Sequence, residues 1–412
     1  MFLTAATVIA LSSGSALAAS GGNQSEDYLT LKKEMEIMRA EMAEMRALLK
    51  VQGAMLKEKS VPEITKAEVK ELKKEVKKIA KKADDASEWR DSNSAVHLAG
   101  YASAGYSDRQ NTNGSFDTAK FAPIFHYQWK DLVLLETELE FSLQDDGSTE
   151  VGMEYLTIDV LFNDYAALVA GKFISPLGQF RQNVHPSWIN KLPSAPSGFG
   201  HDGAAPIADV GAQVRGGVPI GDKRLNYALY IGNGPELVSS GGEITAVETL
   251  GVARDQDGEK VYGGRVGFLP IPSLEIGLSG ATGKVGISGE ADRDYGVYGA
   301  DFNYNAKKFQ IRGEYIAQEV GASATSSAPD SAKWAAYYLQ GAYKLPYNLE
   351  AVVRYGDFDT PEAEESQTQW VTGMNYLFAP QLMGKVAYEF NDGRTGTTAD
   401  GNRFLAQIAY GF

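Results

Sequence analysis

From about residue 95 to Phe412 the chain changes character at every second residue, a period that belongs to strands with two different faces. The final stretch is the clearest case. Phe404, Ala406, Ile408, Tyr410 and Phe412 fall on one face, and Arg403, Leu405, Gln407 and Ala409 fall on the other. Sixteen such runs can be marked between residues 96 and 412. The connections between them alternate in length. Short ones include Lys130-Asp131, Asn163-Asp164 and Pro346 to Asn348, and the long ones are rich in Gly, Ser, Asp and Thr. Short turns at one end and long loops at the other predict an all-β fold, a sixteen-stranded antiparallel transmembrane β-barrel over 95–412. No window holds the ~18 apolar residues that a membrane helix needs.

Charge sorts the two faces of each predicted strand. Glu136, Glu138, Glu140 and Ser142 share one face, with Leu135, Leu139, Phe141 and Leu143 on the other. A charged side chain at mid-depth on a lipid face costs up to about 2–4 kcal/mol, so the glutamates are expected to face a lumen. Arg215, Arg265, Arg312, Glu314, Glu350 and Arg354 are placed inward by the same rule. Phe125, Tyr127 and Trp129 close one strand, and Tyr376 and Phe378 another, as an interfacial girdle would. The terminal aromatic, with Tyr410 before it, is expected to serve as the signal read by the barrel assembly machinery.

Two segments precede the barrel. Leu3 to Leu11 is a short apolar run followed by Ala16-Leu17-Ala18, which predicts a signal peptide over 1–18. Leu31, Met35, Met38, Met42, Met45 and Leu49 alternate by four and three, and Val69, Leu72, Val76, Ile79 and Ala83 resume the seam beyond Pro62. This is an a/d heptad pattern, and it predicts an N-terminal α-helical coiled coil over 26–90. Such narrow stripes need partners, so self-association is expected. The short-turn end of the barrel, and the coil with it, are assigned to the periplasm.

The connection from Ser175 to Ile207 is the third long loop and the longest. It carries Leu177, Phe180, Trp188, Ile189, Leu192 and Phe199, which an exposed loop does not need. We expect it to fold inward and narrow a channel. Its bases Arg181, His185 and Lys191, with Lys172 just before it, predict a solute-binding constriction together with Arg215, Arg265, Arg312, Arg354, Glu136, Glu138 and Glu140. Arginine suits bidentate contacts to carboxylate or phosphate, so an anion filter is one reading. The other is that these bases pair with Glu136, Glu138 and Glu140.

Gly171-Lys172-Phe173-Ile174-Ser175-Pro176-Leu177-Gly178 resembles the strand-to-loop motif of the phosphate-selective porin (porin O and P) family, and Trp188 to Pro193 resembles the segment that follows it there. The N-terminal coil resembles that of the DcaP-like trimeric porins. The resemblance implies a homotrimeric passive channel for phosphate or other small anions. The sequence departs from that pattern, because its inward surface is not Lys-rich and shows no arginine ladder.

Other classes fare less well. Cys is 0 and His is 4, which argues against a metal site, a thiolate nucleophile or a required cofactor. An outer-membrane phospholipase would need a serine beside His97 or His126, and none can be paired with them, so no enzyme is expected. The net charge of -14 resides in the barrel segment and argues against nucleic acid. The expected partners are outer membrane lipids and small-molecule solutes. The alternative is a structural protein whose coil tethers the cell wall or a periplasmic component.

Overall fold

The computed structural model describes residues 94–412, apart from 201, 202, 249, 250, 252 and 256. The predicted signal segment and coiled coil lie outside the described residues. The first seven strands are β1 (Ser94–Arg109), β2 (Ser115–Trp129), β3 (Val133–Leu143), β4 (Thr149–Asn163), β5 (Ala166–Ile174), β6 (Ala208–Ile220) and β7 (Lys223–Gly232). A small hairpin follows, β8 (Glu236–Ser240) and β9 (Glu243–Glu248). The wall resumes with β10 (Val261–Ile271), β11 (Leu274–Val285), β12 (Arg293–Asn305), β13 (Phe309–Val320) and β14 (Ala332–Lys344). It ends with β15 (Leu349–Asp359), β16 (Gln367–Ala379), β17 (Leu382–Gly393) and β18 (Arg403–Gly411).

Sixteen of these strands form one closed antiparallel barrel, with β7 paired directly to β10 and β1 paired to β18. The seam is sealed by Tyr101 opposite Gly411 and by paired backbone bonds, Gly100 N–H to Phe412 O (3.0 Å) and Phe412 N–H to Gly100 O (2.9 Å). The β8–β9 hairpin forms a separate two-stranded sheet, joined across Gly241-Gly242, and buries Leu237, Ile244 and Val247 in one cluster with Val261, Val285 and Tyr295. The two-residue periodicity predicts only a long loop here, because strands of five and six residues are too short to register as wall strands.

The distribution of polarity is the reverse of a water-soluble protein's. Arg312, Glu314, Gln340, Glu350, Arg354, Lys385 and Glu389 are buried, while Leu229, Ile276, Leu278, Leu339 and Ile408 are exposed. Strand parity produces this: alternate residues project to opposite sides, so each strand sends one set inward and one outward. Phe125, Tyr127, Tyr376, Phe378, Tyr410 and Phe412 are all exposed on the outward parity. Phe412 stacks on Phe121 and on Tyr410, with ring centroids 6.0 and 6.1 Å apart.

Candidate functional site

The site is built from the segment between β5 and β6 and the inward faces of the strands it touches. A π-helical turn, Phe180–Val184, opens this segment. Phe180 and Phe199 meet Tyr338 of β14 edge-on, with centroids 6.1 and 5.0 Å away, and lie 6.0 Å from each other. Leu192 packs separately against Ala342, Val352, Val371, Ala387 and Leu405. Each fully buried large apolar side chain contributes about 1.5–3 kcal/mol. This accounts for the aromatics that an exposed loop would not carry.

Polar bonds fix the segment to β13 through β17. The Glu314 carboxylate accepts the backbone N–H groups of Gln179 (3.1 Å) and Phe180 (2.9 Å). Arg312 donates to Asn190 Oδ1 at 3.2 Å, and Gln318 to the Gly203 carbonyl at 2.7 Å. Arg354 donates to the carbonyls of Ser194 (3.0 Å) and Ala195 (2.9 Å) and to Gln369 Oε1 (3.1 Å). The Lys385 ammonium donates to the carbonyls of Ser187 and Asn190. Ser194 Oγ donates to Glu389, which Arg403 also holds at 2.9 Å. Backbone carbonyls of a non-helical segment need donors when buried, and these inward-facing side chains supply them.

The predicted site residues separate into three groups. Arg354 is spent on holding the segment, as Lys385 is, which sequence reading missed. Lys191, Arg215 and Arg265 are paired with acids. Lys191 Nζ lies 2.6 Å from Glu350 Oε1. Arg215 reaches Asp159 at 2.5 Å and Glu136 at 3.3 Å. Arg265 makes a two-pronged contact with Asp301, Nε at 2.8 Å and Nη2 at 2.6 Å, and holds Glu275 at 2.9 Å. The third group faces the β1–β4 wall. Arg181 is half-buried opposite Glu138, Glu140 and Glu154, with Nη2 lacking a hydrogen-bond partner. Its burial lowers its pKa from the usual arginine value, against the pull of those acids. His185 Nδ1 bonds the Arg181 carbonyl, and Lys172 donates to the Met153 carbonyl at 2.7 Å.

The second reading, in which the loop bases pair with Glu136, Glu138 and Glu140, is not matched by the direct contacts of those acids. Those acids bind the wall instead. Glu138 accepts from Tyr101 at 2.8 Å, Glu140 pairs with Lys120 at 2.6 Å, and Glu136 is shared by Arg215 and His126. His126 and His97 meet through their Nδ1 atoms at 3.2 Å.

In two of these pairs the acid lies behind the base, whereas Arg265, 8% exposed, is less exposed than its partner Glu275 at 23%. The Arg215 side chain is 39% exposed and that of Asp159 1%; for Lys191 and Glu350 the values are 19% and 4%. Two cavities open in front of them, of ≈ 440 and ≈ 540 Å³, and they share Gln182, Asn226 and Arg265 as walls. Arg215 and Arg224 line the first, Lys191 and Arg312 the second. A solute in either cavity meets several bases, with Asp164 as the acid of the first and Glu275 as that of the second.

No protein-family model matches this sequence, and no curated protein matches it as a relative. Solved structures do. A loop L8 deletion mutant of OmpT, an outer membrane protein of Vibrio cholerae, aligns with TM-score 0.52 at 14% identity, over 78% of this chain and 100% of that one. The outer membrane channel DcaP of Acinetobacter baumannii gives 0.52 at 11% identity over 78% and 98%. An anion-selective porin from Comamonas acidovorans gives 0.51 at 15% over 77% and 100%. At these identities the likeness is one of fold, and the fold of this chain is that of the porins.

Proposed function

We propose that the chain is an outer-membrane channel for passive diffusion of small hydrophilic solutes, with a preference for small anions such as phosphate or dicarboxylates. The segment 175–207 forms its constriction. The observation that carries the anion preference is the layering of charge at Lys191 and Arg215, each toward a cavity with Glu350 or Asp159 buried behind it. Arg181 belongs to the same segment, with its Nη2 buried and without a hydrogen-bond partner. The anion-selective porin among the structural neighbours is consistent with this reading.

Membrane residence draws its support from the outward apolar band and its aromatic ends. In this reading the short-turn end faces the periplasm with the coil of residues 26–90, and Tyr410 and Phe412 engage the assembly machinery. The coil pattern suggests self-association and the family resemblance suggests three copies, which cross-linking of the reconstituted protein would check.

Reconstitution of the full chain into a planar bilayer under a KCl gradient tests the channel and the preference together. Discrete conductance steps are expected, with a reversal potential on the chloride side. Absence of steps would sink the channel. Steps with a reversal potential at zero or on the potassium side would remove the anion preference alone. Arg181→Ala and Lys191→Ala should each move the reversal potential toward zero.

A further inference from the structure

The cavity of ≈ 440 Å³ at the short-turn end contains a third arginine that the inward-facing pattern did not single out. Arg224 stands one residue inside the turn between β6 and β7, on the inward parity with Asn226, Ala228 and Tyr230. Arg215 and Arg265 share the cavity but are occupied by Asp159, Glu136, Asp301 and Glu275. Arg224 has no acidic partner among the described residues. Asp164 is the acid that lines the same cavity. The Arg224 guanidinium lies close to Gly217, where a Cβ would come within 2.8 Å of Nη2 and 2.9 Å of Nε. The absence of a side chain at position 217 leaves the room that the guanidinium occupies beside the cavity.

We infer that Arg224, set beside Gly217 and flanked by Arg215, forms a binding site for a small oxyanion, a carboxylate or a phosphate, at the short-turn mouth. The inference rests on the channel reading above and adds a site outside the constriction. A planar fork of N–H donors matches two oxygens of such an anion, whereas chloride engages it without that geometry. Arg215 supplies further donors, and its acid Asp159 is buried behind it.

The test is block of KCl current through the full-length channel by added succinate or phosphate. The wild type is expected to show saturable block by one or both; block by succinate alone assigns a carboxylate site, and block by phosphate alone a phosphate site. Arg224→Gln should raise the half-blocking concentration about ten-fold or more, the loss expected for one charge-assisted contact. Gly217→Ala should raise it too, since the added methyl displaces the guanidinium without changing any charge. Lys223→Gln is the control: its ammonium lies outside the cavity over the Phe268 ring, 6.0 Å from the centroid, and its loss should leave the block unchanged. No block in the wild type overturns the site. So does an unshifted half-block in whichever of the two site variants folds, or an equal shift in Lys223→Gln. The reversal potential stays a separate readout, so loss of anion preference in the wild type is distinguishable from loss of this site.

Discussion

Lys191 Nζ stands 2.6 Å from Glu350 Oε1, and the Lys191 carbonyl accepts from Asn375 at 2.9 Å, so one loop residue is held by two neighbouring strands. Removing one partner of a buried ion pair typically costs about 3–5 kcal/mol, because the other charge is left without compensation. Lys191 keeps part of its solvent, which places Glu350→Gln lower, at about 2 kcal/mol. Thermal unfolding in detergent micelles should register that loss. The same variant exposes an uncompensated ammonium to the lumen, and its reversal potential should move further to the chloride side. An unchanged potential would mean that Lys191 does not face the conducting path.

Gly178 and Glu314 make a second point of attachment. Gly178 has φ +77°, and a Cβ there would fall 1.7 Å from Glu314 Oε1. An alanine pushes aside the carboxylate that accepts two backbone N–H groups, in addition to straining the backbone. Gly147 has φ +82° with open space around it. Gly147→Ala should therefore cost only the backbone strain, about 1 kcal/mol, and Gly178→Ala clearly more. Comparing the melting temperatures of the two variants isolates the contact from the strain. Equal losses would show that Glu314 can retreat freely.

The outward face predicts a difference that depends on the surrounding solvent. Leu339 lies near the middle of β14 and is 51% exposed. Leu339→Arg should cost about 2–4 kcal/mol if that position is bathed in hydrocarbon. Urea unfolding from phospholipid vesicles measures it. A cost near zero would place the residue in water or in a polar contact between subunits.

Outside the strands, the loop before β10 should respond to acid. Burial opposes ionisation of Asp255, but the Lys260 hydrogen bond and the Gly258 N–H outweigh it and hold its pKa below the ordinary value. A depressed carboxylate stabilises the folded loop above its unfolded pKa and loses that contribution as pH falls through the folded one. The local structure should thus persist at pH 5 and loosen only below about pH 4. Hydrogen exchange at residues 257–260 as a function of pH follows this directly. Loosening that begins near neutrality would exclude Asp255 as its cause.

Much of the wall was legible in the sequence because parity is a local property. The alternation of Glu136, Glu138 and Glu140 with Leu135 and Leu139 needs no partner to be read, and each of the sixteen wall strands is present. The β8–β9 hairpin was not, although Gly241-Gly242 between short β-prone runs is a hairpin signal. Its strands are too short to cross a wall and were absorbed into a loop. The partners of the bases were beyond reach for another reason. Glu350 is 159 residues from Lys191, and Ser194 is 160 from Arg354. Such pairings depend on the path of the loop, which no periodicity encodes. Arg224 escaped notice because the room it occupies comes from what Gly217 lacks rather than from any motif.

The seam between Gly100 and Phe412 has a kinetic side. The contact that turns an open, curling sheet into a cylinder joins residues more than three hundred positions apart. Until it forms, β1 and β18 each keep a bare edge of N–H and C=O groups, which in lipid has no solvent to satisfy it. Any intermediate with fifteen paired interfaces therefore has two sticky margins and is prone to pair with another chain. Closure is the slowest-reached contact on grounds of sequence separation and also the one that removes the hazard. A chain shortened by its final residues should then accumulate as mispaired, protease-sensitive material rather than as a slightly weakened channel.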